Sequence, residues 1–218
     1  MLSIAIDGPS GAGKSTIAKI VAKELGITYI DTGAMYRAVA LKMLDSNIDV
    51  NDAKNVIPML DKVSIKLEHV DGTQHIFLDG KDVSTRIREH MVSKAASDVS
   101  KIPEVRLKLV EMQRKIADEK DVIMDGRDIG SYVLPNAKFK FYLTASAEIR
   151  AQRRFKELTE KGQLVEYNKI YQDIIDRDYN DMNRSFAPLV KTDDAILVDS
   201  SEMTIEEVAD YILSAVKK

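Results

Sequence analysis

The 218-residue chain is 44% hydrophobic, enough for one sizeable core in one domain or two small ones. Its 32 Lys and Arg against 35 Asp and Glu give a net charge of −3, which argues against bulk nucleic-acid binding but allows a local basic pocket for one small anion. Cysteine is absent, which excludes disulfides, thiolate metal sites and a cysteine nucleophile.

Residues 2–6 predict a short buried strand, and the run Gly8-Pro9-Ser10-Gly11-Ala12-Gly13-Lys14-Ser15-Thr16 follows it directly. This run satisfies G-x-x-x-x-G-K-[ST] at every required position. Behind it, Ile17, Ile20, Val21 and Leu25 recur at helical spacing, with Gly26 placed to close the helix. Strand, glycine loop and helix together make a phosphate cradle. The glycines let backbone N–H groups turn inward, and the helix N-terminus favours the anion. Lys14 would reach the β- and γ-phosphates of a nucleoside triphosphate, and Ser15 would offer its hydroxyl to Mg²⁺.

Residues 27–30 give a second strand, ending at Asp31-Thr32-Gly33-Ala34-Met35-Tyr36-Arg37, and a helix is predicted to follow with Ala38, Leu41 and Leu44 on one face. Residues 51–60 read as a short helix. The texture then changes: Val63, Ile65 and Leu67 alternate with polar residues, Asp71-Gly72 marks a hairpin turn, residues 75–78 run back, and Asp79-Gly80 makes a second turn. This is a small antiparallel insertion in a β/α chain. Helical patterning resumes over 87–99, and Pro103 suits the first turn of a helix carrying Val105, Leu109, Met112 and Ile116 on one face.

Residues 121–126 and 139–143 are the third and fourth strands. A charged helix is predicted from Ala147 to about Leu158 and another from Tyr167 to about Asn180. Residues 195–199 form the last strand, and Thr204 begins the final helix. Alternating strands and helices imply a parallel sheet covered on both faces.

Ligands of such sheets bind beyond the carboxyl ends of the strands. Asp7-Gly8, Asp31-Thr32, Asp125-Gly126-Arg127-Asp128 and Thr144 are therefore expected to face one crevice. Asp125 could place a carboxylate near the magnesium's water shell; taken alone, it reads equally as a strand-end turn residue. Arg37, Arg127 and Arg184 arrive from separate segments, and guanidinium groups suit phosphate oxygens. No N-K-x-D run reads guanine and no H-R-D run indicates a protein kinase. His69, His75 and His90 are read as structural.

Four blocks together carry a family resemblance: Gly8 to Thr16, Asp31 to Arg37, Asp125-Gly126-Arg127-Asp128-Ile129-Gly130, and Arg177-Asp178-Tyr179-Asn180-Asp181-Met182-Asn183-Arg184. Over essentially the whole chain the sequence closely resembles the bacterial cytidylate kinases, which make CDP and dCDP from ATP and CMP or dCMP. The resemblance implies an α/β nucleoside monophosphate kinase fold: a five-stranded parallel sheet with helices on both faces, an antiparallel insertion and a helical lid. Its division would be a P-loop core at 1–36, 100–146 and 181–218, a monophosphate-binding domain at 37–99 and a lid at 147–180.

The resemblance also assigns roles. Lys14, Asp125, Arg127 and Arg184 would be the catalytic set, and Ser15 the metal ligand. Arg37, Arg127 and Arg184 would hold the acceptor phosphate. Ser97, Arg106 and Asp128 look like the readers of the cytosine edge, Arg177 and Asp181 would contact the sugar hydroxyls, and Asp31 and Tyr36 join the substrate-binding set. Arg150, Arg153 and Arg154 fall in what would be the lid over ATP. No catalytic base is required, because the acceptor phosphate, with a second pKa of about 6, is already mostly a dianion at neutral pH. CMP and dCMP are the expected partners, with no nucleic acid and no membrane, for a cytoplasmic monomer. A kinase for UMP, AMP or a non-nucleotide acceptor, and a non-catalytic ATP-dependent switch, are the alternatives.

Overall fold

The structure is a computed structural model, and it describes residues 1–70, 73–160 and 162–217. In chain order the elements are β1 (Ser3–Asp7), α1 (Lys14–Leu25), β2 (Thr28–Asp31), α2 (Thr32–Asp45), α3 (Ala53–Leu60), β3 (Ile65–Val70), β4 (Thr73–Leu78) and β5 (Lys81–Asp82). After a 3-10 turn at Arg86–Arg88 come α4 (His90–Val99), α5 (Pro103–Glu119) and β6 (Val122–Gly126). A π-helical turn (Ile129–Val133), β7 (Phe139–Thr144), α6 (Ala147–Glu160), α7 (Tyr167–Asn183), β8 (Ile196–Asp199) and α8 (Ile205–Val216) complete the chain. Among the described residues, no helix is long and apolar enough to cross a membrane.

The larger sheet has the strand order β2-β6-β1-β7-β8. β1 runs parallel to β6 and β7, and β7 parallel to β8. At the sheet's edge the Thr28 amide donates to the Asp121 carbonyl (2.9 Å). Ile4, Ala5 and Ile6 of β1 and Val122, Ile123 and Met124 of β6 are fully buried. That unbroken apolar run is what a strand covered on both faces requires. The five-stranded parallel sheet and the small antiparallel sheet expected from the sequence are both present.

The chain forms two compact units. One comprises Leu2–Thr28 with Asp121–Lys218, and the other Tyr29–Lys120 together with Met1. The first contains the glycine loop and β6 to α8. Its α6 and α7 share a small core of Ala151, Ile170 and Ile174, flanked by Phe155, Leu158, Val165, Tyr167 and Tyr171. The second is built on one apolar cluster running through α2, the β3-β4-β5 sheet, α4 and α5, with Met35, Leu41, Met43, Ile76, Ile87 and Leu109 at its centre.

Three boundaries differ from expectation. The helix predicted after Arg37 begins at Thr32, because Asp31 caps it by accepting the Ala34 amide (2.8 Å). The helical run over 87–99 is split at Glu89, whose backbone is extended (φ −60°, ψ 145°). α7 continues to Asn183, which puts Asp178 and Asp181 on its buried face with Ile170 and Ile174. The turn read at Asp71-Gly72 lies outside the described residues; β3 and β4 on either side pair antiparallel, with Leu67 opposite Ile76.

Candidate active site

In the first unit, β1 delivers the chain into the glycine loop. Gly8 (φ +148°) passes so close to β7 that a Cβ would lie 1.9 Å from the Leu143 carbonyl oxygen, so no larger residue fits there. α1 starts from Gly13 with no side-chain cap and no acid in its first turn. The helix itself therefore supplies no side chain to offset the positive end of its dipole. Lys14 is 5% exposed and its Nζ donates to the Pro9 carbonyl (2.7 Å), arching over the loop. Burial, and then the nearby Arg127 guanidinium, push its pKa well below the ordinary lysine value. The Ser15 hydroxyl donates to Oδ2 of Asp125 (2.8 Å), which stands buried near the end of β6 with Ile6 as its partner in β1.

The arginines of this unit are fixed by carboxylates. Arg127 Nε donates to Asp181 Oδ2 (2.7 Å). Arg184 lies 3.8 Å from the other Asp181 oxygen and donates through Nη2 to Asp128 (3.3 Å). Burial alone would raise the Asp181 pKa, but Arg127, Arg177 and Arg184 outweigh it and hold the carboxyl below its ordinary range. Arg127 shows the reciprocal effect: burial opposes its charge, yet Asp181 keeps its pKa above the usual arginine value. The structure thus gathers Lys14, Asp125, Arg127, Asp128, Arg177, Asp181 and Arg184 into one electrostatic network.

Three arginines expected over ATP are placed differently from one another. Arg150 is buried, with Nε donating to the Ala145 carbonyl (2.9 Å) and Nη1 to the Ser10 carbonyl (2.8 Å). Arg153 donates to the carbonyl (2.6 Å) and hydroxyl (3.1 Å) of Ser200 beyond β8. Arg154 turns outward to Glu157 (2.7 Å). Arg150 and Arg154, one turn apart, share a helix face, so their different partners follow from position along α6: Arg150 sits in its first turn against Gly11 of the loop, and Arg154 one turn further on.

In the second unit, Asp31 is buried and accepts from Arg37 (2.9 Å) and Arg88 (3.0 Å) in addition to the Ala34 amide. Desolvation opposes its charge, but the two guanidinium groups bring its pKa below the ordinary aspartate value. Arg106 is 1% exposed, donates to the Ser100 carbonyl (3.4 Å) and lies over the Tyr36 ring, 5.3 Å from its centroid. The Ser97 carbonyl accepts the Ser100 hydroxyl (2.8 Å), which brings the Ser97 turn and Arg106 to the same backbone segment. His69 pairs with the Tyr29 carbonyl and His75 with Asp82, as structural residues do.

Sequence reasoning gave no role to Asp7, Arg88 or Asp178. The signal for Asp178 was present, because Asp178 and Asp181 are three apart and share a helical face. Asp7 was marked only by its place at the end of β1, facing the crevice, and nothing local marked Arg88.

A glycine loop between a central parallel strand and a helix, with a buried lysine and a hydroxyl–carboxylate pair at its end, defines a P-loop nucleoside triphosphate-binding protein. Among solved structures, a shikimate kinase from Bacteroides thetaiotaomicron shares the fold (TM-score 0.50, 13% identity, 100% of this chain and 99% of that one). A gluconokinase from Sinorhizobium meliloti does so too (TM-score 0.50, 13% identity, 99% and 91%). The family model described as Cytidylate kinase matches residues 4–218. The cytidylate kinase of Caldicellulosiruptor bescii is 56% identical over 97% of this chain and 94% of its own length. That of Clostridioides difficile is 52% identical over 99% and 98%. The chain belongs to the cytidylate kinase family.

Proposed function

We propose that the chain performs its family's phosphoryl transfer with the residues described: ATP gives its γ-phosphoryl group to CMP or dCMP, and the products are ADP and CDP or dCDP. The observation that carries the assignment of roles is the Lys14–Arg127–Asp181–Arg184 network, in which cations are buried beside one another. A phosphate anion relieves both of the main effects that depress the Lys14 pKa, burial and the proximity of Arg127. ATP is held by the loop from Gly8 to Thr16, and Arg153 and Arg154 belong to the segment that covers it.

In this reading Arg37, Arg127 and Arg184 bind the acceptor phosphate. Ser97, Arg106 and Asp128 read the base, and Arg177 and Asp181 contact the sugar. Asp31 orients Arg37, and Tyr36 supports Arg106, as their contacts within the second unit suggest. The same reading divides the chain into the P-loop core, the 37–99 monophosphate-binding domain and the 147–180 lid. It places a monomeric enzyme in the cytoplasm, acting in pyrimidine nucleotide metabolism.

The hydroxyl of Ser15 and the carboxylate of Asp125, 2.8 Å apart, are hard oxygen donors of the kind Mg²⁺ takes together with phosphates and waters. When bound there, Mg²⁺ supplies charge neutralisation at the phosphate oxygens. The chain's own contribution is alignment and charge: two repelling anions are oriented by guanidinium groups whose carboxylate partners fix their direction. A coupled assay of ADP release with CMP, dCMP, UMP, AMP and no acceptor tests this. CMP and dCMP should be fastest. A rate independent of any acceptor would assign the chain to the ATP-dependent switches instead.

A further inference from the structure

Asp7 is the last residue of β1, one position before the glycine loop, and the two amides it binds lie 122 and 123 positions further along the chain. Oδ1 accepts the Ile129 amide and Oδ2 the Gly130 amide, each at 2.7 Å. These are the two residues that follow Asp128. The Asp128 carbonyl is itself taken by the Tyr132 (2.9 Å) and Val133 (3.0 Å) amides of the π-helical turn. Asp128 is thus held from both sides: its carbonyl by the turn, its following amides by Asp7. Its side chain projects to Arg184. Single π-turns of this kind recur at functional sites.

A carboxylate is a costly choice for this task. Burial is the main reason its pKa is pushed up to about 6, with Asp128 adding repulsion, and the two amides and Lys14 oppose the rise only in part. A purely structural tie between β1 and the turn has no need of an ion. What the ion adds is two short acceptors at once, which no neutral side chain of this size offers. Gly130 leaves room for the approach, since a Cβ there would lie 3.3 Å from Asp7 Oδ2 and 3.1 Å from the Lys140 side chain.

We infer that Asp7 is a positioning residue for acceptor choice. From the end of the strand that delivers the phosphate loop, its carboxylate locks the Ile129–Gly130 peptides and thereby sets Asp128 where the base is read. This rests on the assignment of Asp128 as a base reader. Phosphate loop and base reader are then registered to one another through a single side chain.

The test measures kcat/KM for CMP and for UMP in wild type, Asp7→Asn and Asp128→Ala, with folding checked by circular dichroism. Asparagine presents an NH₂ group to one of the two amides and displaces the turn. The CMP-to-UMP ratio should narrow about fivefold or more in Asp7→Asn, in the direction of Asp128→Ala, because mispaired buried groups lose that much discrimination. A merely structural role lowers both substrates together and leaves the ratio as it was. A narrowed ratio in Asp128→Ala with a wild-type ratio in Asp7→Asn overturns the positioning role alone. An unchanged ratio in Asp128→Ala overturns the base-reader assignment, and the route through Asp7 with it. If Asp7→Asn does not fold, Asp7→Glu keeps the charge but shifts it by a methylene; it should also narrow the ratio, and a wild-type ratio there counts against the inference.

Discussion

Arg150 and Asp178 form a buried ion pair (Nη1 to Oδ2, 2.6 Å), and both grip the same residue of the glycine loop. Arg150 donates to the Ser10 carbonyl, and Asp178 accepts the Ser10 amide (3.0 Å). The amide of Ser10 is therefore taken by a carboxylate of α7. Gly11 lies against the same arginine, where a Cβ would come within 3.2 Å of the Arg150 Cβ. The first turn of α6 and the last turns of α7 are thereby fastened to the loop.

That fastening restricts any lid motion to the portion between the two residues. Within it, Phe155, Tyr167 and Tyr171 pack their rings edge-on and stacked. Hydrogen exchange should show fast amides over about 155–174 in the free protein, slowing when ATP and CMP analogues are both bound. The amides around Arg150 and Asp178 should be protected throughout. Equal protection of 155–174 with and without ligands would remove the lid from the mechanism.

Lys14→Met should leave the fold intact and reduce turnover by about two orders of magnitude or more, as loss of a single electrostatic group at a reacting centre does. Methionine keeps the buried stem, so thermal stability should be unchanged or higher, given the strain on the buried ammonium. Near-normal turnover in a folded variant would contradict the assignment of the cradle lysine.

Arg127 and Asp128 are neighbours with different tasks, and their alanine variants should separate. Asp128→Ala should lower turnover with CMP much more than with UMP, because uracil reverses the donor and acceptor at the edge being read. Arg127→Ala, with its partner Asp181 left beside Arg177 and Arg184, should damage both substrates alike. Equal damage from both variants would mean that neither discriminates bases.

The ionised Asp7 also has a signature in stability. Its pKa is raised by burial to about 6 from an ordinary 3.8, so the folded protein binds this proton more readily than the unfolded chain. The group therefore costs stability at neutral pH, on the order of 3 kcal/mol, and the cost fades as pH falls from about 6 toward 4. Urea unfolding of wild type and Asp7→Asn should show wild type gaining on the variant across that window. A stability difference independent of pH would show that Asp7 does not titrate there.

Local sequence was sufficient for what local backbone geometry dictates. The glycine loop is legible because its conformations exclude other residues, and the β/α alternation because a strand covered on both faces must be apolar throughout. The sequence places the helix only after the Asp31 block, although Asp31 is a good helix cap and α2 begins at Thr32. The tertiary structure alone decided which charged residues meet. In α6 the sequence offers Arg150, Arg153 and Arg154 as three equivalent cations; packing against the loop, β8 and solvent sends them to Ser10, Ser200 and Glu157. Asp7 meets Ile129 and Gly130 only because β1 pairs in register with β6, Asp7 opposite Gly126. Such a contact is a property of the sheet register, which is set by burying both faces at once and leaves no trace in the residues near either end.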